Sequence, residues 1–365
     1  MRNLVWLLLA VWTLCPSWAG AQILKGDRHA MADAINKAYS YDYFFPFEDA
    51  DTLHLTDSQK REALEQRYAK VKEELEKMSE GKERAYYAHV NNDAYLNFQM
   101  RLCYNDTTAY NTLASRIDPN DTISLLNYLP QRFIESKMQG DYSNDWGHDL
   151  TRYGLEYISV MRRYITNPKV KHELLSDCAR AVLSYGKGYA DIDRFWLPFV
   201  EYAAEDTAVV KNFQFKVDAI KRTTPGSPAI DFTFEDTVGK RHRLSEFRGK
   251  TLYIDCWATW CGPCCKEIPF LERQVEALKD KSDSLVFISI SLDRKRQAWL
   301  DKLAKDKPQW PQFIADKEGD EVLSRQYGIT GIPRFLIIRP DGTIGDADAF
   351  RPSDPDFVSR LLKHL

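Results

Sequence analysis

The chain has no excess of either charge: 50 lysines and arginines stand against 53 aspartates and glutamates in 365 residues, a formal net charge of −3. Without a dominant positive field nothing holds a phosphate backbone, so nucleic acid is not an expected partner. Glycine and proline are sparse, at 17 and 16, which excludes collagen-like and low-complexity architectures. Hydrophobic residues at 44% and charged residues at 28% exclude wholesale disorder. No repeat of about 34 residues is evident. After Leu14 no apolar run is long enough to cross a bilayer. What remains is ordinary globular material, long enough for two domains.

The first residues read as a targeting segment. Arg2 precedes an apolar stretch from Leu4 to Leu14, and Ala19-Gly20-Ala21 follows. A charged start, a short apolar middle and an A-x-A ending make a secretory signal peptide over 1–21, cleaved after Ala21. The apolar run falls short of the roughly 20 residues of a spanning helix, so export to the periplasm or cell envelope without a stable membrane anchor is expected. Acylation at Cys15 is disfavoured because Leu14 stands where a small residue is usual.

Cysteines are few and unevenly spread. Removal of Cys15 leaves Cys103, Cys178, Cys256, Cys261, Cys264 and Cys265, and four of these six fall within ten positions. That is not the framework of a disulfide-stapled domain. Cys103 and Cys178 lie in different expected helices, either as one disulfide or as two buried thiols.

Residues 22–220 carry a helical pattern. Thr56 and Asp57 suit an N-terminal cap, and Leu64, Tyr68, Val71 and Leu75 recur at helical spacing. Further helices are expected near 85–102, 124–138, 150–165, 170–184 and 207–220. The polar, proline-containing stretch 221–228 reads as a linker. Beyond it, apolar runs at 252–257, 285–290 and 335–338 alternate with helical patterns at 264–278 and 298–305. Pro340-Asp341-Gly342 signals a turn before a short strand at 343–344, and 356–365 closes as a helix. The expected architecture is an all-α domain followed by an α/β domain, a central mixed sheet flanked by helices, over 229–365.

The chemistry concentrates in L-Y-I-D-C-W-A-T-W-C-G-P-C-C-K-E-I-P-F-L, residues 252–271. A buried strand runs into Cys261-Gly262-Pro263-Cys264 and a helix follows. Cys261 therefore sits at a helix N-terminus, where unpaired N–H groups and the macrodipole favour a thiolate. Thiolate is the attacking species in disulfide exchange, so Cys261 is the expected nucleophile. Cys264, one turn on, shares an apolar stripe with Ile268, Leu271, Val275 and Leu278, which places it on the buried face. Gly262 and Pro263 suit a tight start to the helix. A zinc site would need a second ligand pair, and the sequence has no other C-x-x-C and no H-x-x-x-H. No metal is expected.

W-C-G-P-C after a strand, with Gly331-Ile332-Pro333 before another, resembles the thioredoxin superfamily. Together with P-A-I-D-F at 228–232 and F-R-G-K at 247–250, it is similar more narrowly to the exported TlpA/ResA-like thiol-disulfide oxidoreductases. The resemblance covers about residues 225–365. It implies a thioredoxin fold, a Cys261–Cys264 redox disulfide in place of a cofactor, and a cis bond at Ile332-Pro333 facing it. Trp260, Gly262, Pro263, Ile332 and Pro333 would then contact an extended substrate segment. It also implies protein thiol or disulfide substrates and an upstream membrane electron donor. The helical half has no recognised counterpart.

Two carboxylates fit that mechanism. Asp255 interrupts the apolar strand on the face of Tyr253 and Trp257. Burial would raise its pKa and suit it to exchange a proton with Cys264; the bland alternative pairs it with Lys250 or Arg334. Glu267, three residues after Cys264, matches an acid carried near the family's dithiol, or is a solvated helix carboxylate. Several residues depart from the family pattern. Cys256, read as an inert buried thiol, stands where an aromatic is usual. Cys265 replaces a basic residue, and Arg334 follows the proline where a small residue is commoner. Gly-Pro between the cysteines resembles thioredoxin, near −270 mV, more than the oxidant DsbA, near −120 mV, so a reductase is expected. Two rivals stand beside it: a redox-sensing binder whose helical half captures a ligand or partner, and a peroxiredoxin-like peroxidase. The peroxidase is disfavoured by Trp257, where its P-x-x-x-T-x-x-C pattern wants proline.

Overall fold

The computed structural model describes residues 56–365 except 143, 144, 146, 147, 188 and 190. The expected signal peptide 1–21, with Cys15, lies outside the described residues. The chain divides into two compact units: the first ends at Gly186 and takes in Pro198–Val209, and the second is Lys187–Leu197 with Val210–Leu365.

The first unit is helical. Helix α1 (Asp57–Glu76) starts on a capping box, in which Thr56 Oγ1 accepts from the Gln59 backbone N–H while the Gln59 side chain accepts from Thr56 N. Helices α2 (Lys82–Leu102), α3 (Thr107–Ala114), α4 (Leu129–Lys137), α5 (Thr151–Tyr164) and α6 (Pro168–Tyr185) follow, and α7 (Asp193–Tyr202) and α8 (Thr207–Arg222) each begin in one unit and end in the other. Leu64 and Leu75 of α1 pack on Tyr87, Val90, Ala94 and Phe98 of α2, so the apolar spacing of α1 is the spacing of a packed face. Helix α3 falls between the expected helices at 85–102 and 124–138, where the spacing predicts none. Asp106 is its N-cap, accepting from Ala109 N at 3.0 Å; the same residue types open turns and cap helices. Cys103 and Cys178 are separate buried thiols, bonded weakly to the carbonyls of Met100 and Gly154.

The second unit is built on a seven-stranded mixed sheet of order β2-β1-β5-β4-β3-β6-β7. Its strands are β1 (Thr233–Glu235), β2 (Arg241–Arg243), β3 (Thr251–Trp257), β4 (Leu285–Ser291), β5 (Gln312–Ala315), β6 (Arg334–Ile338) and β7 (Ile344–Asp346). Strand β3 is central, parallel to β4 and antiparallel to β6. Helices α9 (Gly262–Ala277), α10 (Arg296–Asp306), α11 (Lys317–Glu321) and α12 (Phe357–Leu361) complete the unit. Gly342 takes a positive φ of 82° in the β6–β7 turn, as the P-D-G signal requires.

The stretch 221–228, expected to be a linker, is bound into this unit. Helix α8 runs on to Arg222, Gly226 N donates to Ile344 O, and Ile344 N donates to Ser227 O, both at 2.8 Å. Its prolines and glycine serve a chain that pairs with the edge strand β7, and Pro228 bridges Thr343.

Side chains of β3 alternate between two cores. Leu252, Ile254 and Cys256 enter one with Phe232, Phe234, Ile288 and Leu336. Tyr253 enters the other with Leu271, Phe287, Phe335 and Phe357. All seven residues of β3 are buried, so its near-continuous apolar run is that of a strand covered on both faces. Asp255 is the one charge in it.

Candidate functional site: a dithiol at a helix N-terminus

Strand β3 ends at Trp257, and the turn 258–260 delivers the chain to α9. Cys261 is the N-cap: its Sγ lies 3.1 Å from the Cys264 backbone N–H that points at it. Cys261 and Cys264 are joined as a disulfide, with Cα atoms 5.2 Å apart. Exposure is 5% at Cys261 and 2% at Cys264, while Gly262 and Pro263 are exposed and Trp260 is 71% exposed. The two sulphurs pack with Trp257, Ala258, Trp299 and Ile314, and Ile332 lies against the same cluster. The Ile332-Pro333 peptide is cis, and both residues are half-buried.

The turn is held from below by Asp293. Its carboxylate accepts from Thr259 N at 2.8 Å, from Thr259 Oγ1 at 2.7 Å and from Ser291 Oγ at 2.7 Å. Leu292 N donates to Trp257 O at 2.8 Å. The end of β4 thus fastens the residues that precede Cys261. Nothing in the sequence pointed to Asp293, because its partner lies 34 positions away.

Asp255 is buried, and its position follows from register. It pairs with Ser289 on the parallel strand β4, so the two side chains stand on one face and Ser289 Oγ donates to Asp255 Oδ2 at 2.9 Å. Ser289 Oγ in turn accepts from Trp310 Nε1 at 2.8 Å, which commits the hydroxyl proton to the carboxylate. Burial pushes the Asp255 pKa up to about 7; the Ser289 hydrogen bond opposes this and the charge of Glu267 adds to it. Lys250 donates to Ser282 O and Arg334 pairs with Asp348 at 2.7 Å, so neither cation is the counter-ion of Asp255.

Glu267 is also buried, not solvated, and it is fully engaged. It accepts from Ser353 N at 3.0 Å and Ser353 Oγ at 2.9 Å, with Arg351 Nη1 3.7 Å away. These bonds tie α9 to the segment leading into α12. Cys256 lies on the opposite face from Asp255 and is wholly buried, which drives its thiol pKa far up. Cys265 is half-buried, its Sγ 3.9 Å from Thr259 O. Among the described residues no group of three or more His, Cys, Asp or Glu side chains is placed to hold a metal ion. No helix among them is long and apolar enough to cross a membrane.

Comparison with known proteins agrees with this geometry. The family model described as thioredoxin-like matches residues 249–344. The C-terminal part is a thioredoxin-like domain. The thiol-disulfide oxidoreductase ResA of Bacillus subtilis is 29% identical over 119 residues, which is 33% of this chain and 64% of that protein. The ResA of Halalkalibacterium halodurans is 26% identical over 153 residues, 41% of this chain and 84% of that protein. The chain thus spans just under two thirds of the first relative's length. Among solved structures, the thioredoxin domain of a Bacteroides vulgatus thiol-disulfide oxidoreductase is 29% identical, covering 38% of this chain and 96% of that one, with a TM-score of 0.35. The family model lies wholly in the thioredoxin-like part, and the helical region is not recognised.

Proposed function

We propose that the chain is a thiol-disulfide oxidoreductase that exchanges disulfides with protein thiols in the cell envelope, working as a reductase. The observation that carries this reading is the buried Cys261–Cys264 pair at the N-terminus of α9, with a buried carboxyl of raised pKa, Asp255, in the strand that leads into it. In the reduced protein the Cys261 thiolate attacks one sulphur of a substrate disulfide. A mixed disulfide forms and one substrate thiolate leaves. Cys264 then gives its proton to the Asp255 carboxylate and attacks Cys261 Sγ, which closes the intramolecular disulfide and expels the second substrate thiolate. Two electrons pass to the substrate, and the two departing thiolates take up protons from Asp255 and solvent. A dithiol donor, in this reading supplied from the membrane, restores the reduced state. Trp260, Gly262, Pro263, Ile332 and Pro333 form the contact surface for the substrate segment.

Trapping tests the reading. With Cys264→Ser the mixed disulfide on Cys261 loses its resolving partner within the C-x-x-C motif, so envelope proteins accumulate as covalent adducts. Cys264→Ser/Cys265→Ser traps more, because Cys265 is the next thiol along α9. Absence of adducts from a variant whose Cys261 is reduced and alkylates readily would overturn the exchange function.

A further inference from the structure

Next to the clamp that holds the turn before Cys261 stand two cations with no ion-pair partner among the described residues. Asp293, which holds Thr259 through two hydrogen bonds, is followed directly by Arg294 and Lys295. Both are exposed, and neither side chain has an ion-pair or hydrogen-bond partner among the described residues. Exposed Trp260 lies one residue beyond Thr259 on the other side of the same hydrogen bonds. The cations and the indole therefore flank one clamp.

Several neighbouring charges are committed elsewhere. Asp293 is buried and bonded to Thr259 and Ser291. Arg296 is bonded to Glu235 Oε2 at 3.1 Å and to the carbonyls of Asp236 and Thr237. Glu267 is taken by Ser353 and Arg351, and Asp348 by Arg334 and Lys187. Arg294 and Lys295 thus stand as exposed cations without an ion-pair partner among the described residues, on a chain that as a whole is net negative at −3. A local field opposite in sign to the overall charge gathers oppositely charged partners at that spot.

We infer that Arg294 and Lys295 are specificity-determining residues that select acidic protein segments as partners in disulfide exchange at Cys261. The inference rests on the exchange reading above and names its substrate class. Long cationic side chains at the rim, next to an exposed indole, suit a cysteine flanked by aspartate or glutamate: the charges steer the segment and the ring covers its apolar part. Rim charges act on association and its salt dependence more than on the bond-exchange step.

The full-length reduced protein, wild type and Arg294→Glu/Lys295→Glu, is mixed with three disulfides: a peptide whose cysteine is flanked by glutamates, the same peptide flanked by lysines, and neutral bis(2-hydroxyethyl) disulfide. Second-order rates of mixed-disulfide formation are measured at low and high salt. The wild type should prefer the acidic peptide over the basic one by about tenfold at low salt. That preference should collapse at 1 M salt, where the screening length is about 3 Å. The charge-reversed protein should invert the preference, with the neutral disulfide reacting at the wild-type rate. Equal peptide rates in the wild type, or a preference that survives charge reversal, would overturn the inference alone. Failure of the wild type to react with any of the three would remove the exchange reading and this inference with it.

Discussion

The two acids Asp255 and Glu267 are both buried, yet their surroundings differ in kind. Asp255 stands in the strand layer, with one hydroxyl donor and no cation. Glu267 stands in the helix layer, with a backbone N–H, a hydroxyl and a guanidinium around it. A desolvated carboxylate with a single donor takes up a proton readily. Burial pushes the Asp255 pKa up to about 7, and the single Ser289 donor offsets this only in part. The lesson is that two buried carboxyls near one helix are held by different kinds of partner. Glu267 fastens α9 to the segment before α12, and Asp255 is left free to titrate.

The largest expected consequence is in stability against pH. The folded-state pKa of Asp255 lies above its unfolded value, so folding favours the protonated form. That contribution is fully present below about pH 4 and is lost as pH rises through about 7. From the shift, the upper bound is roughly 4 kcal/mol. Asp255→Asn should therefore gain on the wild type as pH rises from 4 to 8 in urea unfolding of the oxidised protein. Parallel stability profiles would mean that Asp255 does not titrate in this range. A smaller effect is expected at Glu267. Glu267→Ala leaves Ser353 N–H, Ser353 Oγ and Arg351 without their acceptor, and should cost about 1–3 kcal/mol, with the resolution step at Cys264 close to wild type. If instead it slows resolution as Asp255→Asn does, the contrast between the acids is wrong. Smallest is Cys256→Ala on the opposite face of β3. It should cost about 1 kcal/mol in denaturant midpoint and leave exchange rates unchanged.

How much of this was legible in the sequence depends on the distance over which each feature is determined. Cys261 and Cys264 lie within one contiguous strand–turn–helix, so their placement followed from local pattern. The buried face of α9, the alternation of Asp255 against Cys256, and strands β3, β4 and β6 were readable for the same reason. Strands β1, β2 and β5 were not: three or four residues long, with arginines, a histidine and a glutamine among them, they carry no period of their own and exist only by pairing. The partners of the acids were hidden too. Ser289 reaches Asp255 through the β3–β4 register, and Ser353 reaches Glu267 across 86 positions. Strand register and loop closure are tertiary quantities that one sequence does not display. In the helical unit, α3 was missed because a capping aspartate and a turn aspartate look alike.

The measurement closest to the central claim is the rate at which Cys264 resolves a preformed mixed disulfide on Cys261, followed by stopped flow from pH 5 to 9 in the wild type and in Asp255→Asn. Asp255 acting as the proton acceptor predicts a wild-type profile that breaks near pH 7, and a variant roughly 10²-fold slower at neutral pH without that break. Attack by Cys261 should be little changed in the same variant. An unaltered break and rate in Asp255→Asn would contradict the account and return Asp255 to the role of a buried structural acid.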